Sequence, residues 1–272
     1  MKIAFSPCPN DTFVFHAWVH GLIPTAPLVD VMYADIDITN ELTTSSDGPD
    51  LAKISYAALP YVHPSYELIP CGGALGRGCG PLLLTAHGQE PAQLAHKKIA
   101  VPSDRSTAYL LFRLWAAEQV PGGVGEIVVM PFNEIMPAVR NGHVDAGLVI
   151  HEARFTYHSY ELSLLADMGE WWESETGLPI PLGAIVAKRS LDMTAIKRWI
   201  QQSVDYAWKY PEASQAYVLK HADEMSPDVA KAHIKLYVNK FTRDLGEEGY
   251  QAVRALLHRA ANERLVPFVN LS

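Results

Sequence analysis

The stretch Val144-Asp145-Ala146-Gly147-Leu148-Val149-Ile150-His151-Glu152 is apolar at nearly every position after Asp145 and then turns abruptly polar. A strand with one wet face alternates, because successive side chains point to opposite sides. A run without alternation suits a strand covered on both faces, as in a parallel sheet flanked by helices. The stretch therefore predicts a buried strand over 144–150, and it delivers His151 and Glu152 to that strand's carboxyl end.

Working outward from this strand, apolar runs and helical patterns take turns. Lys98–Val101 reads as a strand, Ser106–Glu118 as a helix, Ile127–Met130 as a strand, and Asn133–Asn141 as a helix stopped by Gly142. Nearer the start, Ile3–Phe5, Val29–Tyr33, Leu51–Ser55 and Leu82–Thr85 read as strands. Asp11–His20 reads as a helix with Asp11 as its N-cap, and Tyr56–Leu59 as a short helical piece. A last strand, Ala184–Ala187, precedes helices at about Met193–Lys209, Ala213–His221, Asp228–Tyr237 and Glu247–Arg264. Strands separated by helices of this length imply βαβ units with parallel sheets. The expected organisation is two α/β lobes, with residues 88–180 inserted into a larger lobe made of 1–87 and 181–272. Gly72–Gly80 and Gly177–Gly183 are the expected crossings, and a ligand cleft between the lobes follows from crossing twice.

Composition narrows the function. Of 272 residues, 49% are hydrophobic and 19% charged, as in a globular protein. The net charge of −8 supplies no basic face for a phosphate backbone, which argues against nucleic acid. The apolar run after Met1 is too short for a secretory segment, and no run reaches the ~20 residues of a membrane span, so a cytoplasmic location is expected. Cys8, Cys71 and Cys79 have no CxxC spacing and read as reduced thiols.

In open α/β sheets ligands bind beyond the carboxyl ends of strands. That rule selects Ser6–Asn10, Ser55, Ser103–Thr107 and His151–Glu152. Lys53-Ile54-Ser55 offers a backbone turn and a hydroxyl, although Ser55 also suits a cap on the short helix after it. Ser103-Asp104-Arg105-Ser106-Thr107 opens a helix whose first N–H groups, with two hydroxyls, suit a carboxylate; plain capping is the competing reading. Gly72–Gly80 lacks the Lys and Ser/Thr of a phosphate loop. Trp171-Trp172 reads as core packing before it reads as an aromatic wall for a ligand. His151 is either a structural residue at a strand end or a general base. Neither a nucleophile elbow nor metal-ligand spacing accompanies it, leaving acid–base chemistry on a carbon acid or hydroxyl. Glu152 either orients the imidazole or pairs with Arg154 or a hinge group.

Six ordered motifs carry a resemblance: "SPCPNDTF" at Ser6–Phe13, "KISYAA" at Lys53–Ala58, "GGALGRG" at Gly72–Gly78, "STAY" at Ser106–Tyr109, "GLVIHEARFTY" at Gly147–Tyr157 and "GLPIPLGAI" at Gly177–Ile185. Together they resemble the 1,4-dihydroxy-6-naphthoate synthase family of the futalosine route to menaquinone. The resemblance implies a two-lobed, type II periplasmic-binding-protein-like fold and a lyase acting without a cofactor. That family's reaction takes cyclic dehypoxanthinylfutalosinate to 1,4-dihydroxy-6-naphthoate and a dihydroxyacetone fragment. By motif, His151 matches the proton acceptor; Lys53, Ile54 and Ser55 match one substrate-binding segment, and Thr107 and Ala108, with Ser106 before them, the other. The expected partner is a small-molecule carboxylate, and oligomeric state is left open. Two rival readings are a cytoplasmic small-carboxylate binding protein without chemistry and the related chorismate dehydratase.

Overall fold

The computed structural model describes residues 1–222 and 226–271. Its strands are β1 (Lys2–Phe5), β2 (Asp30–Tyr33), β3 (Leu51–Ser55), β4 (Tyr66–Gly76), β5 (Leu82–Thr85), β6 (Ile99–Val101), β7 (Ile127–Val129), β8 (Ala146–Val149), β9 (Ser163–Asp167) and β10 (Ile180–Lys188). The chain divides into two compact units, Met1–Gly76 with Pro181–Ser272, and Arg77–Ile180. The first division falls at Gly76 rather than at the expected residue 87, because β5 pairs with β8 and β9 of the second unit.

In the first unit the strand order is β2-β1-β3-β10-β4. β1 runs parallel to both β2 and β3, while β10 runs antiparallel to β3. The order in the second unit is β7-β6-β8-β5-β9, with β6 parallel to β7 and β8, and β5 antiparallel to β8 and β9. Both sheets share one plan: three parallel strands with the first in the middle, then an antiparallel strand beside the third. The sheets are thus mixed where the sequence predicts purely parallel ones. The antiparallel members, β5 and β10, are the strands that follow each division of the chain, and such a strand has no crossover helix to force it parallel.

The first unit's core gathers around the helix Pro9–Val19, buried along nearly its whole circumference by residues such as Phe13, Phe15 and Trp18. The helix starts at Pro9, with Cys8 at the N-cap position and Asp11 in its first turn rather than capping it; proline's fixed φ and missing N–H suit the first helical position. Helix Met193–Lys209 lays Ile196, Ile200, Val204 and Ala207 against it, a spacing that puts them on one face. Between the two helices the Ser203 hydroxyl donates to the Val14 carbonyl at 2.6 Å and accepts from the Trp18 N–H at 3.3 Å.

The second unit's core forms where helix Phe132–Arg140 covers β8 and its neighbours, burying Leu82, Leu84, Ile135, Val139 and Val149. Trp172 is fully buried and donates to the Pro179 carbonyl at 3.0 Å, which is the packing role expected of it. The glycine-rich stretches expected as crossings are partly strand: β4 runs through Gly72–Gly76, and β10 begins at Ile180. A Cβ on Gly73 would come within 2.5 Å of the Gly183 carbonyl oxygen. These glycines allow close strand approach. No described helix is long and apolar enough to cross a membrane.

Candidate active site

In the second unit β6 and β8 are parallel neighbours, with Ile99 beside Ala146 and Ala100 beside Gly147. Their carboxyl ends therefore leave the same edge of the sheet, and they carry Ser103–Ala108 and His151. β8 is buried throughout, and His151 is the second residue past its end. Its backbone sits at φ +53, a left-handed conformation uncommon for a residue with a Cβ. Strained backbone of this kind clusters at functional sites. The imidazole is half-buried and meets the Phe132 ring edge to face, at 5.6 Å between centroids.

The turn after His151 is fixed from below. Arg154 is ion-paired with the buried Asp167 and donates to the Gly80 carbonyl at 3.0 Å. Asp167 also caps helix Met168–Thr176 by accepting from the N–H groups of Gly169 at 2.8 Å and Glu170 at 3.3 Å. Arg154 thus belongs to Asp167 and not to Glu152, as the sequence had allowed. Glu152 stands at the start of the short helix Ala153–Thr156 without a side-chain cap bond.

Helix Thr107–Gln119 starts at the end of β6. Ser106 is its N-cap: the hydroxyl accepts from the Tyr109 N–H at 3.1 Å and donates to the Ser103 carbonyl at 3.2 Å. Its single proton is committed, so it has none to give a carboxylate. Ser103 in turn accepts from the Arg105 N–H at 3.2 Å. Thr107 and Ala108, both buried, occupy the first turn, whose N–H groups point out of the helix end. The arrangement suits an anion held by backbone N–H groups and the dipole of a thirteen-residue helix.

In the first unit β1 and β3 are parallel neighbours, so the loop Ser6–Cys8 and the β3 terminus also share a sheet edge. Lys53 is only 4% exposed, and its ammonium makes an ion pair with Asp11, which also accepts from the Asn10 amide at 2.7 Å. Lys53 is therefore held by the first turn of helix Pro9–Val19, which carries Asp11. Ile54 is fully buried within the sheet beside Ala184. Ser55 makes no cap bond with the helix that follows. Instead its N–H donates to Asn40 Oδ1 at 2.8 Å, and its hydroxyl accepts from Asn40 Nδ2 at 3.2 Å. Sequence reading missed Asn40 and the helix Ile36–Leu42 that carries it. Neither the helix's polar composition nor the spacing to Ser55 signals the contact.

The three cysteines form no disulfide. Burial pushes the Cys71 and Cys79 thiols up to about 12, so both stay protonated and inert near neutral pH.

The architecture places the chain in a known class. It superposes on the alkanesulfonate-binding protein of Xanthomonas axonopodis pv. citri with a TM-score of 0.71 at 15% identity, over 98% of this chain and 94% of that one. This likeness defines the fold class, that of the periplasmic binding proteins. Sequence comparison is more specific. A family model described as menaquinone biosynthesis matches residues 1–262. The 1,4-dihydroxy-6-naphthoate synthase of Streptomyces coelicolor is 64% identical, over 98% of this chain and 95% of that protein. The synthase of the same name from Thermus thermophilus is 43% identical, over 96% of this chain and 93% of its own length. The chain belongs to this menaquinone-biosynthesis family of enzymes.

Proposed function

We propose that this chain is a carbon–carbon lyase that converts cyclic dehypoxanthinylfutalosinate to 1,4-dihydroxy-6-naphthoate and dihydroxyacetone in the cytoplasm. Its near-full-length kinship to two synthases of that name supports the reaction. The observation that carries the mechanism is His151, set at φ +53 at the exit of a wholly buried strand. Forming the naphthoate requires removing a proton, breaking a carbon–carbon bond and aromatising the ring. Aromatisation supplies driving force, so the protein's task is a positioned base, an oriented substrate and stabilisation of enolate-like charge.

His151 is the base in this reading. The N–H groups at Thr107 and Ala108 receive the substrate carboxylate, with Ser106 holding the helix start that presents them. Ser55 binds a further substrate oxygen; Lys53 and Ile54 set its position through the Asp11 ion pair and the sheet. These residues supply the acid–base chemistry of this reaction, which needs no electron or group carrier. Incubating the purified chain with the cyclic substrate and following products by chromatography tests the reading. Release of the naphthoate with stoichiometric dihydroxyacetone is expected. Substrate that is bound but returned unchanged would instead make the chain a binding protein.

A further inference from the structure

The Asn40–Ser55 contact has a direction that can be deduced. The backbone N–H of Ser55 can only donate, so the atom of Asn40 facing it at 2.8 Å is the amide oxygen. This fixes the orientation of the whole side-chain amide and turns its NH₂ group to the Ser55 hydroxyl, at 3.2 Å. The NH₂ group can only donate, so the Ser55 oxygen accepts, and its own proton points elsewhere. Among the described residues no group receives that proton, although Ser55 is 2% and Asn40 3% exposed. A buried hydroxyl proton without an acceptor is costly unless something else supplies one.

We propose that Asn40 is a positioning residue that presets the Ser55 hydroxyl as a hydrogen-bond donor toward an oxygen of the substrate. This rests on the reading of Ser55 as substrate-binding. An isolated serine hydroxyl rotates and serves as donor or acceptor with equal ease. Here one face of the oxygen is occupied by Asn40, so the site is selective for an acceptor: a carbonyl, phenolate or carboxylate oxygen. No reorganisation is left for the moment of binding. Asn40 acts through Ser55 in this proposal: its amide oxygen and one of its two amide N–H groups face Ser55.

The test uses Asn40→Asp, nearly the same shape. A carboxylate accepts from the Ser55 N–H as before, so the backbone bond survives, but it also accepts from the hydroxyl and turns the proton inward. Asn40→Asp should therefore raise KM by about ten- to a hundredfold, the worth of one hydrogen bond to a charged or developing-charge oxygen, with kcat changed much less. Ser55→Ala should raise KM to a similar extent. In the Ser55→Ala background, Asn40→Asp should add little, because the proton it would redirect is gone. The Kd for 1,4-dihydroxy-6-naphthoate, by titration calorimetry, should follow KM, and melting temperatures confirm that each variant is folded. Should Ser55→Ala raise KM while Asn40→Asp leaves it unchanged, the presetting role is overturned and the substrate-binding role of Ser55 stands. An unchanged KM in Ser55→Ala removes that role and this inference with it. Equal added losses from Asn40→Asp with and without Ser55 would show that Asn40 acts only on the fold.

Discussion

At His151 the backbone adopts φ +53, where a Cβ crowds the following carbonyl and costs about 1–2 kcal/mol. Asparagine tolerates that conformation better than other non-glycine residues, so His151→Asn removes the base without adding strain. The variant should keep the wild-type melting temperature and substrate affinity while losing about 10²–10⁴-fold in kcat, the usual worth of a positioned proton acceptor. Stopped-assay turnover beside a thermal melt checks both halves. Near-normal turnover would return His151 to a structural role. The companion His151→Val should lose stability as well, because a β-branched side chain at positive φ is a backbone outlier. The same scale shows what a single sequence hides. His151 stood out because a polar residue ended an apolar run. Asp11 and Lys53 did not announce themselves as partners, since 42 positions separate them and only the adjacency of β1 and β3 brings them together. Asn40 gave no signal at all.

Among the elements, β8 shows how packing selects residues within an apolar run. Gly147 lies under helix Phe132–Arg140, and a Cβ there would sit 2.5 Å from Ile135 Cγ2 and 2.7 Å from Val139 Cγ2. Both methyls belong to β-branched side chains with little rotamer freedom, so the helix must lift to make room. Gly147→Ala should destabilise the second unit by roughly 1–3 kcal/mol, the cost of overpacking a filled core, seen as a lower urea midpoint. A midpoint equal to wild type would mean that the helix can shift freely. At the start of helix Thr107–Gln119, Ser106→Ala should cost about 1 kcal/mol of stability through the lost cap. Its effect on substrate affinity should be smaller than that of Ser55→Ala, because the Ser106 proton goes to Ser103 and not to a ligand. Elements with strong apolar runs, such as β3, β5 and β8, were legible within a residue or two. β4 was not, because its glycines read as a loop signal when their purpose is close contact with β10.

Across the whole molecule, the buried thiols report on both units, Cys71 lying in the first and Cys79 in the second. Each is raised from an ordinary 9.0 to about 12, with burial as the main cause, and for both thiols the nearby charges partly oppose one another. Tyr56, fully enclosed, is raised for the same first reason. A group whose folded state holds its proton more tightly than the unfolded chain makes stability fall as pH rises. The loss begins near pH 9, where the unfolded thiols ionise, and continues toward 12, where the folded ones do. Within that window each thiol contributes up to about 1.4 kcal/mol per pH unit. The urea midpoint should therefore decline steadily above pH 9, and Cys71→Ala or Cys79→Ala should each flatten the decline while lowering the neutral-pH midpoint modestly. Thiol labelling at pH 8 gives the kinetic counterpart. At most one thiol per chain, the half-buried Cys8, should react before unfolding, and Cys71 and Cys79 should react only as their units open. An unchanged slope in both alanine variants, or rapid labelling of all three thiols in the folded protein, would show that the two cores admit solvent and that burial does not govern these thiols.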